Sequence, residues 1–135
     1  MELKGLKINF LGDSITEGVN ALTKGSNAES NSGTKSYAYF CSQELGAVTH
    51  NVGYGASGVT KEGSFNTFIK AIQYLSRGRE VDPSFKPDVI VVNHGTNDNV
   101  SENDTVFINE LKEALECLIE KYPDTPIFYM IPFSQ

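Results

Sequence analysis

Cysteine occurs only twice in this chain, at Cys41 and Cys117, and no Cys-x-x-Cys pair or His/Cys cluster accompanies it. Both cysteines fall in apolar helical patterns, where the residue acts as a small buried hydrophobe. Neither a disulfide framework nor a metal site is expected. No apolar stretch approaches the length of a bilayer-spanning helix, so no membrane partner is expected either. Lys4 and Lys7 interrupt the first residues and leave no apolar segment for a signal peptide. The expectation is a cytoplasmic protein, and a longer secreted form is also compatible with the sequence. Basic residues are in deficit: 11 Lys and Arg stand against 17 Asp and Glu, a formal net charge of -6. Nucleic acid calls for a basic face and is not an expected partner. The mild acidic excess serves solubility and names no ligand. There is no Gly-x-x-x-x-Gly-Lys-Ser/Thr loop, and no Gly-x-Gly-x-x-Gly follows the first apolar run, which leaves nucleotide binding without support. Internal repeats and domain linkers are absent too.

What is present is an ordinary globular composition, 39% hydrophobic and 21% charged over 135 residues. Residues 1–135 are read as a single domain, long enough to bury roughly two thirds of its unfolded surface. Short apolar runs alternate with helical patterns. Lys7 to Leu11 reads as a first strand, and Lys24 to Lys35 as a long polar loop. Tyr37, Cys41 and Leu45 share one helical face, so a helix covers Ser36 to Leu45, with Gly46 placed to end it. Ala47 to Asn51 is a second strand. Phe65, Phe68, Ile69, Ile72 and Leu75 keep helical spacing, and Arg77 to Pro87 follows as a loop. Asp88 to Asn93 is a β-branched run of the kind buried on both faces. Asn103 or Asp104 suits the cap of a helix whose core face is Phe107, Ile108, Leu111, Leu115, Leu118, Ile119 and Tyr122. Pro126 to Pro132 is a fourth strand. This β-α-β-α-β-α-β order predicts an α/β protein, a three-layer α/β/α sandwich on a flavodoxin-like parallel sheet with strand order 2-1-3-4.

Three motifs each follow the carboxyl end of a strand. Gly12-Asp13-Ser14-Ile15-Thr16 comes after Ile8-Asn9-Phe10-Leu11. A buried strand emptying into a tight turn can hold a serine hydroxyl at the sheet edge, where a nucleophile is needed. The same turn equally suits a cap for the next segment or a phosphate site. Gly95-Thr96-Asn97-Asp98 comes after Val89-Ile90-Val91-Val92. The Asn97 amide suits a donor to the negative oxygen of a tetrahedral intermediate, and also an ordinary turn in which Asn bonds its own backbone. The loop Asn51-Val52-Gly53-Tyr54-Gly55-Ala56-Ser57-Gly58 can bring a backbone N–H close to a ligand. Taken alone, it reads better as a loop that needs positive φ. In a doubly wound sheet all three motifs lie on one edge, and the order 2-1-3-4 puts Ser14 between the other two.

Together the serine and asparagine motifs resemble those of the GDSL/SGNH hydrolase family of esterases and lipases, with Ile15 where the family name has Leu. The resemblance runs from the first strand to the last residue. It implies that Ser14 attacks an ester carbonyl. The Ser14 N–H, a glycine-loop N–H and the Asn97 amide would then hold the oxyanion. Counting from Asn51, the family's glycine donor falls at Ala56, with Gly55 beside it, and a backbone donor tolerates alanine. Asp13 and Asp98 belong to the motifs as supporting residues. No cofactor and no metal are implied. The implied substrates are small or short-chain acyl esters, acetyl esters of carbohydrates among them, because the loops lack the apolar residues of a long acyl trough. The polar loop Lys24–Lys35, with Tyr37 and Tyr54, is expected to shape the pocket.

The family's closing Asp-x-x-His block has no counterpart before Gln135. His50 and His94 each end an expected strand, and neither matches the family's histidine. His94 lies nearer the right edge and is the candidate base, although a plain histidine at a strand end is the favoured reading. The expectation is a domain incomplete after its fourth strand, and a weak or inactive esterase. Residues 126–132 would be left as an open apolar edge through which a homo-oligomer can form. The alternative is a non-catalytic flavodoxin-like module that binds a small sugar or phosphate at Gly12–Thr16.

Overall fold

The computed structural model describes residues 5–131 except Ser26, Arg77 and Asn99. Four parallel strands form the central sheet: β1 (Lys7–Gly12), β2 (Val48–Gly53), β5 (Val89–Asn93) and β6 (Ile127–Tyr129), in the order β2-β1-β5-β6. A separate two-stranded hairpin supplies β3 (Tyr74–Ser76) and β4 (Arg79–Glu80). Set the hairpin aside, and the sheet order is the one expected from the sequence. β1 lies between β2 and β5, pairing Phe10 with Asn51 on one side and with Val91 on the other.

Alternation along β1 builds two cores. Ile8 and Phe10 face α2 (Tyr37–Leu45), where Ala38 is fully buried and Cys41 and Leu45 pack around it. Leu11, Val52, Ile90 and Val92 face the opposite layer. That layer consists of α3 (Phe68–Gln73) and α4 (Val100–Lys121), which bring in Phe68, Ile72, Ala114, Leu118 and Tyr122. The result is a three-layer α/β/α sandwich. Ser36 caps α2, accepting from the Tyr39 amide, and the backbone turns left-handed at Gly46 to end it. The polar segment 24–35 contains two short 3-10 turns, Ala28–Ser30 and Gly33–Lys35.

Several local expectations need correction. The helical spacing of Phe65 to Leu75 yields only the six residues of α3. Tyr74 turns extended, and Leu75 reaches the same core from a strand, its carbonyl held by the Tyr54 hydroxyl at 2.7 Å. Tertiary contacts there overrode a short periodic run. The segment read as a loop from Arg77 accordingly contains β4. α4 begins at Val100, so neither Asn103 nor Asp104 stands at its start. On its core face Ala114 and Leu118 are fully buried, while Ile108 and Ile119 are 60% and 54% exposed. At about 100° per residue, both isoleucines fall to the side of the Phe107–Leu111–Ala114–Leu118 stripe. Cys41 and Cys117 are free and half-buried, not fully buried.

Among the described residues β6 is at the edge of the sheet, with Phe128 60% exposed and Ile131 86% exposed beyond it. Pro132, at the end of the expected strand, lies outside the described residues. No helix among the described residues is long and apolar enough to cross a membrane.

Candidate active site

β1 ends at Gly12, and the chain turns at once into α1 (Ser14–Glu17). Asp13 caps this single turn, its Oδ1 accepting from the Ile15 amide at 2.9 Å. Gly18 takes a left-handed conformation (φ 88°) and donates to the Ser14 carbonyl, which closes the turn. Ser14 is half-buried, and its own N–H has no acceptor among the described residues. That is the ordinary situation of a first helical residue. Asp13 is fully buried. Burial pushes its carboxyl above the usual carboxylate range, against the hydrogen bond from Ile15, and the neighbouring charge of Asp98 adds to the rise.

The segment after β5 is tied to both of the other motifs. Asn97 Nδ2 donates to the Ser57 carbonyl at 2.9 Å and stands 3.4 Å from Asp13 Oδ2. The second distance is long for an N–H···O bond, so one of its two hydrogens is only weakly engaged. Asp98 faces the glycine loop. Its carboxylate accepts from the Val59 amide at 2.8 Å, the Thr60 amide at 2.7 Å and the Thr60 hydroxyl at 2.7 Å. Gly58 lies against that carboxylate so closely that a Cβ would collide with it.

Residues Tyr54 to Ser57 form a turn in which the Ser57 amide donates to the Tyr54 carbonyl at 3.1 Å. Gly55 and Ala56 are its central residues, and Ala56 has φ 59°, a left-handed conformation usually left to glycine. Ser64 N–H takes the Gly55 carbonyl at 2.8 Å. The amide hydrogens of Gly55 and Ala56 have no acceptor among the described residues. The two glycine-loop candidates thus share one turn, immediately before the carbonyl that holds Asn97.

Both histidines are engaged in packing. His94 is fully buried, stacked on Phe68 with ring centroids 4.6 Å apart. Neither ring nitrogen makes a hydrogen bond of normal geometry among the described residues. Burial lowers its pKa to about 4, outweighing the opposing effects of Asp98 and the Ser57 backbone. Its carbonyl accepts from the Tyr129 hydroxyl at 2.7 Å. His50 lies within β2 instead of ending it, and stacks on Phe85 at 4.7 Å.

Beside α1 runs an open cleft of about 420 Å³, lined by Thr16, Glu17, Ser32, Gly33, Thr34, Tyr39, Asn51 and Gly53. Of the polar loop, Ser32, Gly33 and Thr34 line this cleft, and the aromatic beside them is not one of the two expected. Tyr37 bonds Thr16 Oγ1 at 3.0 Å and Tyr54 bonds the Leu75 carbonyl, while Tyr39 lines the cleft. Glu17 and Tyr39 carried no motif signal, since only the fold brings their segments together with Asn51. Among the described residues no group of three or more His, Cys, Asp or Glu side chains is placed to hold a metal ion.

A family model described as the GDSL-like lipase/acylhydrolase family matches residues 10–135. No curated protein matches the sequence at a significant level. Solved structures do. A family two carbohydrate esterase from Cellvibrio japonicus is similar at TM-score 0.82 and 22% identity, covering 92% of this chain and 41% of its own. One from Clostridium thermocellum, in complex with cellohexaose, gives 0.79 and 26%, covering 92% and 42%. An acetyl xylan esterase from the rumen bacterium Butyrivibrio proteoclasticus gives 0.76 and 20%, covering 93% and 46%. The chain therefore spans less than half the length of each of these structures.

Proposed function

This chain belongs to the GDSL-like lipase/acylhydrolase family, and from that premise we propose that it carries the nucleophile and oxyanion site of a serine esterase acting on short acyl esters of carbohydrates. Ser14 Oγ attacks the acyl carbonyl. The negative oxygen that forms is held by the Ser14 N–H, by the Gly55 or Ala56 N–H, and by the weakly engaged hydrogen of Asn97 Nδ2. Each preorganised donor of this kind is worth roughly 10²–10³ in rate. The alcohol leaves, and water releases the acyl group from Ser14. The observation that carries the reading is the joining of the three motifs. Asn97 bonds Ser57 and approaches Asp13, and Asp98 grips Val59 and Thr60. Donors and nucleophile are thereby held at one edge of the sheet. The acetyl and carbohydrate part of the proposal draws on the solved esterases and on the hydroxyl, amide and carboxylate side chains among the residues that line the cleft.

The Ser14 proton needs a base, and in this reading neither His50 nor His94 supplies it, because both rings are committed to stacking. Oxyanion stabilisation and binding alone leave roughly 10³–10⁴ over water when a triad member is removed. The 135-residue chain is expected to acylate slowly. The test is intact-mass spectrometry after incubation with an aryl acetate, beside Ser14→Ala. One acetyl group on Ser14, absent from the variant, supports the proposal. Acetylation that survives the substitution overturns it. The same packing of both histidines favours, as a second reading, sugar binding at this edge without turnover.

A further inference from the structure

Glu17 has a position that the esterase reading does not use. It closes α1 and lines the cleft beside that turn, and among the described lining residues it alone carries a charge. Its carboxylate has neither a cationic partner nor a hydrogen-bond donor among the described residues. It also lies next to the glycine loop, since a Cβ on Gly55 would stand 3.2 Å from Glu17 Oε2. It stands three positions after Ser14, a spacing that sets Cβ atoms about 5–6 Å apart on one side of a helical turn. An exposed carboxylate, one helical turn from the nucleophile, therefore lines a cleft whose other polar side-chain groups are hydroxyls and an amide, on Thr16, Ser32, Thr34, Tyr39 and Asn51. The cleft's volume of about 420 Å³ is that of a small-ligand pocket.

From this placement we infer that Glu17 is a specificity-determining residue. It accepts hydrogen bonds from the alcohol part of the ester, admits neutral and amine-bearing sugars, and rejects sugars that carry a carboxylate. Hydroxyl and amide groups serve all three classes alike, so charge is what separates them. The described lining residues offer no cation to receive a uronate, and Glu17 would face it directly. An ammonium group would meet an unpaired partner. The inference rests on the carbohydrate-ester reading proposed above, and adds to it that the cleft holds the alcohol part.

The test is binding, read apart from any acyl transfer. Methyl glucoside, methyl glucosaminide in its protonated form and methyl glucuronide are titrated into the chain at neutral pH and low salt by calorimetry or ligand-observed NMR. The glucosaminide is expected to bind roughly tenfold more tightly than the glucuronide, with the glucoside between them, a contrast in keeping with partly exposed charge pairs. In Glu17→Gln that ratio falls to near one. In Glu116→Gln, an exposed acid paired with Lys112 on α4, it persists. Unchanged melting of Glu17→Gln establishes that the variant is folded. A ratio that survives Glu17→Gln, or no binding of any of the three sugars, overturns the inference. Ser14 acetylation by an aryl acetate is measured separately, so the two proposals fail independently.

Discussion

Asp98 and Thr60, 38 residues apart, are joined twice, through the Thr60 amide and the Thr60 hydroxyl, both at 2.7 Å from the same carboxylate oxygen. The other oxygen takes the Val59 amide. This grip fixes where the glycine loop lies relative to Asn97. Replacing Asp98 with Ala leaves two amides without their acceptor and should cost about 3 kcal/mol. Denaturant unfolding of Asp98→Ala beside the parent checks it, and a loss below about 0.5 kcal/mol would mean that water replaces the carboxylate without penalty.

Asn97 bridges to Ser57 from the other side. Asn97→Ala should slow Ser14 acetylation by roughly 10²-fold, the usual effect of removing one oxyanion donor. The loss of its bond to the Ser57 carbonyl should cost only about 1 kcal/mol of stability. Paired acylation rates and unfolding curves separate the two effects.

His94 makes the fold sensitive to acid. Its folded pKa of about 4 lies below the 6.5 of the unfolded chain. The stability tied to the neutral ring is fully present above pH 6.5 and is lost as the pH falls toward 4, to a total of about 3 kcal/mol. Asp13, whose carboxyl is raised, acts in the opposite sense at the lower end of that window. His94→Phe keeps a ring against Phe68 and should flatten the dependence between pH 6.5 and 4.5. Urea unfolding across that range, followed by circular dichroism, is the measurement.

Ala56 occupies a left-handed backbone position at φ 59°. A side chain there costs about 1–2 kcal/mol relative to glycine, partly offset by the greater freedom glycine adds to the unfolded chain. Ala56→Gly should therefore raise stability by up to about 1 kcal/mol and leave Ser14 acetylation unchanged or faster. A lower melting temperature would contradict this account of the turn.

The open edge at β6 predicts self-association. Exposed strand edges pair readily, and a lysine on such an edge deters pairing. The light-scattering mass should rise with concentration, and less steeply in Phe128→Lys. A clean monomer at high concentration would remove the expectation.

Much of the framework was legible in the sequence because the runs around Phe10 and Ile90 are short and largely apolar, the second of them β-branched, a pattern that suits buried parallel strands. Gly46 could be read as a helix stop from its position alone. The placement of Ser14, Gly55, Ala56 and Asn97 along one edge followed from the strand order. The extent of α3 was not legible, since Leu75 satisfies helical spacing yet packs from a hairpin. Ile108 and Ile119 looked like core because apolar residues crowd α4, and only the approach of Ala114 to the sheet decides which side is inward. The grip of Asp98 on Val59 and Thr60, and the meeting of Glu17 with Tyr39 and Asn51, depend on segments far apart in the chain. No local pattern records them.

The pairing of β1 with β5 has a consequence for how the molecule forms. Lys7 and Asp88, 81 residues apart, meet at the start of that ladder. Contacts of such long range are slow to form, because a large loop must close before they can stabilise anything. α2 and α4 need no such closure. A collapsing chain should therefore gain helical signal well before the edge carrying Ser14 and Asn97 exists, and the sugar binding and Ser14 acetylation proposed above should be among the last signals to return on refolding.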